Sequence, residues 1–233
     1  MPFSPPSTGN GLLDRILRYL PELKSWVRRL KVPARGVLYA PGEPQPHVYF
    51  PAGGVLSVMV RSEGGESIEV ATVGSEGLVP VTALLRVRRS HQLIVQQVPG
   101  EILRLAAPPL IRAVREHEPI QTLVLCYAAY SLRVSLQATA CNALHSMRER
   151  AARWVLMTAD RAGSDRFFLT QDRLAEMLGT PRQSVNAAMR RFAGAGLLSV
   201  RRGNIAILNR RALEREACEC YALMSDHYRE LLG

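Results

Sequence analysis

The sequence predicts an α+β chain: an amino-terminal antiparallel β-barrel or jelly roll, one long central helix, and a carboxy-terminal winged helix-turn-helix. Three observations predict it. Short Val-, Ile- and Leu-rich segments punctuated by Gly and Pro fill the stretch from Val37 to Leu105, which is the pattern of many short strands joined by tight turns. From about Pro119 to Ser146 apolar residues recur at helical spacing. Leu169 to Leu208 then reads as a helix, a tight turn, a second helix and a basic two-stranded ribbon, the order in which a protein offers a helix to the major groove.

In chain order, Met1 to Asn10 is rich in Pro, Ser and Gly and is expected to be flexible. Leu13, Ile16, Leu17 and Leu20, then Leu23, Val27 and Leu30 after Pro21, predict short helices broken by the proline. The period next changes to two, over Val37 to Tyr39, His47 to Phe50, Gly54 to Arg61, Ser67 to Val73, Gln92 to Gln97 and Glu101 to Leu105. A domain of this kind commonly encloses a small-molecule cavity. A metal-dependent oxygenase on such a scaffold needs two histidines and a carboxylate converging on the ion. His47 and His91 have no His-x-His or His-x-Asp pair beside them, which argues against it, and His117 and His145 read as surface or capping groups on helices.

The central helix carries two apolar stripes. Leu125, Ala129, Leu132, Leu136, Thr139 and Ala143 form one; Leu123, Tyr127, Tyr130, Val134, Cys141 and Leu144 form the other. Two stripes imply two packing partners, the barrel and a second copy of the same helix, with Leu125, Leu132, Leu136 and Ala143 as candidate dimer contacts. A helix buried within a monomer is the alternative. A further helix, Met147 to Asp160, turns inward Ala151, Val155 and Leu156. The expected domains are 1–118 (helices and barrel), 119–146 (dimerisation helix) and 147–233 (winged helix-turn-helix with a helical tail).

The winged segment can be taken residue by residue. Thr170 caps a helix over Gln171 to Leu178, and Gly179 ends it by accepting positive φ. Thr180 and Pro181 open a second helix reaching about Gly194. Val185, Ala188, Met189 and Phe192 face inward, leaving Arg182, Gln183 and Asn186 for base edges: Arg pairs with guanine, Gln or Asn with adenine. Thr170, Ser184, Arg190, Arg201 and Arg202 are candidates for the phosphate backbone, the last two on a wing turning at Gly203-Asn204.

Composition agrees with this reading. The chain of 233 residues has a net charge of +10, which favours an anionic partner. Eight arginines lie between Arg173 and Arg211 against one acid, Glu176. Double-stranded DNA is the expected partner. With no run of 18 apolar residues and no signal-peptide pattern, the expectation is a cytoplasmic protein with no membrane contact and no enzymatic role. Cys126 and Cys141 read as small buried hydrophobes, and Cys218 and Cys220 have no further Cys or His pair at zinc-ligand spacing, so no metal site is expected. A thiol switch at Cys218 or Cys220 is the lesser alternative.

The string LTQDRLAEMLGTPRQSVNAAMRRFAGAGLLSVRRGNIAILNRRAL from Leu169, with the order barrel, long helix, winged helix, resembles the cyclic AMP receptor protein and fumarate–nitrate regulator (Crp/Fnr) superfamily of bacterial transcription factors. The resemblance implies a cyclic-nucleotide-binding-like domain and a homodimer on a palindromic promoter site, with RNA polymerase as a further candidate partner. By position, Arg182 matches the superfamily's principal guanine-reading arginine, Gln183 stands where a cytosine-contacting Glu is common, and Ser184 matches a phosphate-contacting Ser or Thr. Ala187 replaces a second base-reading arginine of the cyclic AMP receptor, which argues against that receptor's promoter consensus.

The superfamily's cyclic AMP cassette, Gly-Glu followed by Arg-Ser-Ala or Arg-Thr-Ala, is broken here: Arg89-Ser90 precedes His91, and Gly77 precedes Leu78. Arg88, Arg89, Ser90 and Ser135 remain as a candidate effector pocket for an unidentified ligand. Neither cyclic AMP nor an iron–sulfur cluster is expected, and nothing specific supports haem at His47, His91 or Cys126. Ala140-Cys141-Asn142, Asp160-Arg161 and Ala217-Cys218-Glu219-Cys220-Tyr221 resemble one subgroup of the superfamily. The readings from other classes are a barrel enzyme or small-molecule carrier that binds DNA incidentally, and a non-specific nucleoid-type protein.

Overall fold

The computed structural model describes residues 8–65 and 67–232. Residues 1–7 of the stretch expected to be flexible lie outside them. Thr8 to Asn10 are anchored instead, because Asn10 is fully buried and uses its whole amide. Its Oδ1 accepts from Leu13 N at 2.9 Å, capping helix α1 (Gly11–Tyr19), while its Nδ2 donates to the carbonyls of Pro51 and Gly77. Pro21 opens a short 3₁₀ turn, Pro21–Trp26, as its fixed φ and missing N–H favour.

Seven strands follow: β1 (Val27–Val32), β2 (Val37–Tyr39), β3 (His47–Ala52), β4 (Val55–Arg61), β5 (Ser67–Val73), β6 (Leu93–Val98) and β7 (Gly100–Ala106). They pair antiparallel in two separate sheets, β1-β7-β3 and β2-β6-β4-β5; neither closes into a barrel among the described residues, so of the expected barrel or jelly roll it is the barrel that is not seen. Strand periodicity is the same in both cases and does not say whether edges meet. The sheets touch most closely where β6 turns into β7. There a Cβ on Gly100 would lie 2.3 Å from Gly54 N, so only glycine permits the approach.

Strands β4 and β6 are buried on both faces. Leu56, Val58 and Ile94 pack inward against Tyr49 and Ile102 of the facing sheet. Val55, Met59, Leu93 and Val95 point outward into a second core made by the carboxy-terminal third of the chain. This double burial explains their near-continuous apolar sequence.

Helices α2 (Ala107–Glu116) and α3 (Glu118–Leu144) lead to α4 (Met147–Ala162). Ser146 and Glu149 form a reciprocal capping box at the start of α4. The remainder is β8 (Arg166–Phe168), α5 (Gln171–Leu178), α6 (Arg182–Gly194), β9 (Leu198–Arg201), β10 (Asn204–Ile207), α7 (Arg210–Glu216) and α8 (Cys220–Leu232). Helix α8 folds back along α3, with Met224 and Leu232 buried and the rings of Tyr130 and Tyr228 edge to face at 5.5 Å.

Two polar contacts fix α4 to the sheets. Trp154 Nε1 donates to Glu69 of β5 at 2.8 Å, and Arg161 Nε meets Glu76 at 3.0 Å, with only 7% and 16% of those two side chains exposed. Seven residues apart, Trp154 and Arg161 share one face of α4 two turns apart. No helix among the described residues is long and apolar enough to cross a membrane.

Candidate nucleic-acid interface

The helix-turn-helix is built from local signals. Thr170 Oγ1 accepts from Arg173 N, and Gly179 closes α5 at φ +57°. Helix α6 begins one residue later than its expected cap, since Pro181 rather than Thr180 occupies the N-cap and no side chain caps the helix. Val185, Ala188, Met189 and Phe192 are buried. Each of the larger three contributes about 1.5–3 kcal/mol relative to exposure, which holds the rotational setting of α6. That setting turns Arg182, Gln183, Ala187 and Arg190 to solvent, with Ser184 and Asn186 half-buried.

Arg182 is paired with Asp172 at 2.9 Å, both 58% exposed. Such a pair is worth little in water and yields readily to a better acceptor. Asn186 Oδ1 is enclosed and meets no hydrogen-bond donor among the described residues, so this side chain is turned partly inward. Arg201 and Arg202 stand exposed at the tip of the β9–β10 hairpin. The two-residue turn is Arg202-Gly203, not Gly203-Asn204: Arg201 pairs with Asn204, and Arg202 and Gly203 take φ +48° and +83°. A turn with positive φ at both central residues suits the twist of a hairpin. An arginine held there, against the usual preference, projects a cation from the end of the wing.

The effector candidates are not brought together. A cavity of about 410 Å³ lies between β4–β5 and α3, lined by Val58, Val70, Ala71, Tyr127, Ser131 and Ser135 among others. Arg88 and Arg89 are exposed and outside it, with Arg89 Nη1 donating to the Gly42 carbonyl at 2.7 Å, while buried Ser90 bonds Gln92 O. Tyr127 is buried deeply against this cavity and donates its hydroxyl to Leu78 O.

On α3, every exposed residue between Thr122 and Ala143 belongs to one series: Thr122, Leu125, Ala129, Leu132, Leu136, Thr139 and Ala143. Their spacing alternates three and four. The opposite face, including Tyr127, Tyr130, Val134 and Cys141, is buried in the chain's own core.

The expectations of no metal site and of no iron–sulfur cluster are both corrected by a group of possible ligands at the end of α3. Cys141, His145, Cys218 and Cys220 bring four ligand atoms within 4.8 Å of one another. Cys141 and His145 are one helical turn apart, a Cys-x-x-x-His pair whose members, taken singly, have the sequence surroundings of a buried hydrophobe and a surface group. The Cys141 and Cys218 sulfurs lie 3.5 Å apart, within hydrogen-bonding distance. The hydrogen bond from Cys218 lowers the Cys141 thiol, and the same contact raises that of Cys218. By contrast, His47 and His91 join no such group among the described residues, and Cys126 is half-buried against the core.

The subgroup motifs meet around this region. Tyr221 donates to Asp160 Oδ2 at 2.8 Å, and Arg210 also reaches Asp160, tying the chain after α7 to the end of α4.

Residues 149–216 match the family model of the Crp-like helix-turn-helix domain. A comparison with curated proteins finds no match. Solved structures of similar fold include FixK2 from Bradyrhizobium japonicum (TM-score 0.70, 15% identity, 82% of this chain and 98% of that one). A CRP-family transcriptional regulator from Thermus thermophilus gives 0.67 at 21% identity, covering 82% of this chain and 96% of that one. CLP from Xanthomonas campestris, described as a c-di-GMP-responsive global regulator, gives 0.64 at 15% identity, covering 85% and 99%. The chain therefore has the fold of these regulators over most of its length and carries a Crp-like helix-turn-helix domain at residues 149–216.

Proposed function

We propose that the chain is a homodimeric, sequence-specific transcription regulator that binds a palindromic operator and answers to a small effector held beside α3. The exposed series from Thr122 to Ala143 carries this reading. Its three-four alternation has the 3.5-residue period of a coiled-coil seam, and Leu132 and Leu136 are 62% and 61% exposed in the single chain. A second α3 covers them. Two-fold pairing presents two α6 helices to successive major grooves, about 34 Å apart. The units that result are 1–118, the α3 linker 119–146 and the DNA-binding part 147–233, in the cytoplasm where DNA and RNA polymerase are met.

Leu132 belongs both to the seam and to the wall of the 410 Å³ cavity. A ligand there touches a residue that the partner helix also touches, so it can favour one helix pairing over another if its affinity for the two differs. The mostly apolar lining, with Ser131, Ser135 and Gln92 as polar anchors, suits a neutral effector better than a cyclic phosphate.

The test is binding to duplexes selected from random DNA. Arg182→Ala should cost about 1–3 kcal/mol on the selected site and flatten preference at one symmetric base pair. Arg202→Ala should weaken all sequences alike and reduce the salt slope by about one. Unchanged base preference in Arg182→Ala would refute the placement of α6.

A further inference from the structure

We propose that Cys141, His145, Cys218 and Cys220 bind one thiophilic divalent ion of the zinc class, and that this ion clips the carboxy-terminal segment to the joint between α3 and α4. The four ligand atoms lie within 4.8 Å of one another, and two of their separations are close to the edges of a tetrahedral site. A tetrahedron around an ion with metal–sulfur bonds of about 2.3 Å has edges of about 3.8 Å. The Cys141–Cys218 separation is 3.5 Å and the Cys220 Sγ to His145 Nδ1 separation is 3.6 Å. The first is too long for a disulfide bond, and both are close to the edges that an ion needs.

The imidazole is already set for ligation. His145 turns Nδ1 toward Cys220 and engages Glu219 Oε1 through Nε2 at 3.0 Å. A carboxylate on the distal nitrogen fixes the tautomer with the lone pair on Nδ1, as in carboxylate–histidine–metal arrangements. Gln137 Nε2 lies 3.0 Å from Cys220 Sγ and supplies a donor that a thiolate would accept. Cys141, Cys218 and Cys220 are buried at 0–5% exposure, so the ion would be closed off from water, as in structural rather than catalytic sites. On binding, the three thiols release their protons to solvent as the three metal–sulfur bonds form. The net charge of three thiolates and a divalent ion is −1, and the Arg150 and Arg153 guanidiniums interact favourably with it.

The position gives the ion a structural task. Cys141 lies in the last turn of α3 and His145 is its C-cap, whereas Cys218, 77 residues on from Cys141, lies between α7 and α8, and Cys220 opens α8. The ion would therefore close a loop containing α4 and the whole helix-turn-helix, and hold its two ends at the α3–α4 joint. Cross-linking residues so far apart removes much freedom from the unfolded chain.

The experiment uses the full-length protein, reduced and stripped with chelator, then titrated with Co²⁺ and with Zn²⁺. One equivalent should bind, with the sulfur-to-cobalt charge-transfer and d–d bands of tetrahedral cobalt, and Zn²⁺ should displace it. X-ray absorption of the wild-type zinc form should show three sulfurs at about 2.3 Å and one nitrogen at about 2.0 Å, a readout that no variant need survive. Cys218→Ser should lose at least tenfold in affinity, Glu219→Gln about 10–100-fold with the shell retained, and Cys126→Ser nothing. His145→Cys should still bind, now through four sulfurs. A first shell without sulfur, iron with acid-labile sulfide, a Cys141–Cys218 disulfide in protein purified without added oxidant, or equal affinity in wild type and Cys218→Ser would each overturn the proposal.

Discussion

Glu69→Gln should stabilise the protein above neutral pH and leave it almost unchanged near pH 4. Glu69 sits on β5 where α4 covers the sheet, accepting from Trp154 Nε1 at 2.8 Å and contacting Ser57 Oγ at 2.6 Å. The residue keeps some surface, but its charge-bearing oxygens are enclosed, and burial pushes the carboxyl up to about 7 from an ordinary 4.5. The hydrogen bonds agree with a proton on Glu69. Ser57 Oγ is also against Gln97 Oε1, and its single proton can serve only one of the two acceptors. A protonated Glu69 donates to Ser57, which frees Ser57 to donate to Gln97. Between pH 4.5 and about 7 the folded chain keeps a proton that the unfolded chain has lost. The contribution of Glu69 therefore falls as pH rises through that window and is level above it. At about 1.4 kcal/mol per unit this amounts to about 3 kcal/mol. Gln reproduces the neutral acid, accepting from Trp154 through its carbonyl and donating to Ser57 through its amide. Urea unfolding of both proteins at several pH values and one fixed concentration should show Glu69→Gln gaining steadily on wild type up to about pH 7, then running parallel. Parallel curves throughout, or a gain that shrinks as pH rises, would refute the reasoning.

Two further outcomes are expected. Leu132→Glu combined with Leu136→Glu puts four like charges into a two-fold seam and should yield monomers in sedimentation, with operator binding lost while single-chain secondary structure by circular dichroism persists. Glu76→Ala leaves the Arg161 guanidinium buried against α3 without its carboxylate; breaking such a pair should cost about 3 kcal/mol in chemical unfolding, and a loss under 0.5 kcal/mol would show the pair to be solvated.

Which features could be read from the chain depends on whether their determinants are local. Helix α5 falls where Thr170 and Gly179 bracket it, because a cap and a left-handed glycine act on adjacent residues. The hairpin turn slips by one residue because an arginine at φ +48° announces nothing in sequence, while the neighbouring Gly203-Asn204 looks like turn chemistry. The two stripes of α3 are both apolar and share the three-four spacing, so the sequence does not rank them; burial of Tyr127, Tyr130, Val134 and Cys141 in the chain's own core is what leaves the Leu125 to Ala143 series exposed. The ligand cluster escaped for another reason. Cys-x-x-x-His and Cys-x-Cys are both visible, but each is half a site, and they meet only because α8 folds back along α3. Judging each cysteine by its apolar neighbours selects burial, which is correct for Cys141, and overlooks the histidine one turn away.

These features share one element. Helix α4 opens at the joint next to His145, is fixed to β5 through Trp154 and to Glu76 through Arg161, and carries the core against which α6 is packed. The cavity wall includes Val70 and Ala71, which directly follow Glu69 on β5, and Ser131, which directly follows Tyr130, whose hydroxyl meets Arg161. A ligand that displaces these wall residues would thus act one or two residues away from these two polar contacts of α4. The energies decide which contact gives first. The Arg161–Glu76 pair is charged and largely enclosed, so separating it exposes an unpaired ion at a cost of about 3 kcal/mol or more. The Trp154–Glu69 contact is a single hydrogen bond to a carboxyl whose charged form burial disfavours, worth about 1 kcal/mol. Effector-driven motion of α4 should therefore pivot about Arg161 and open first at Trp154, the end nearer the α3–α4 joint, and Trp154 fluorescence is the signal that should move with effector binding.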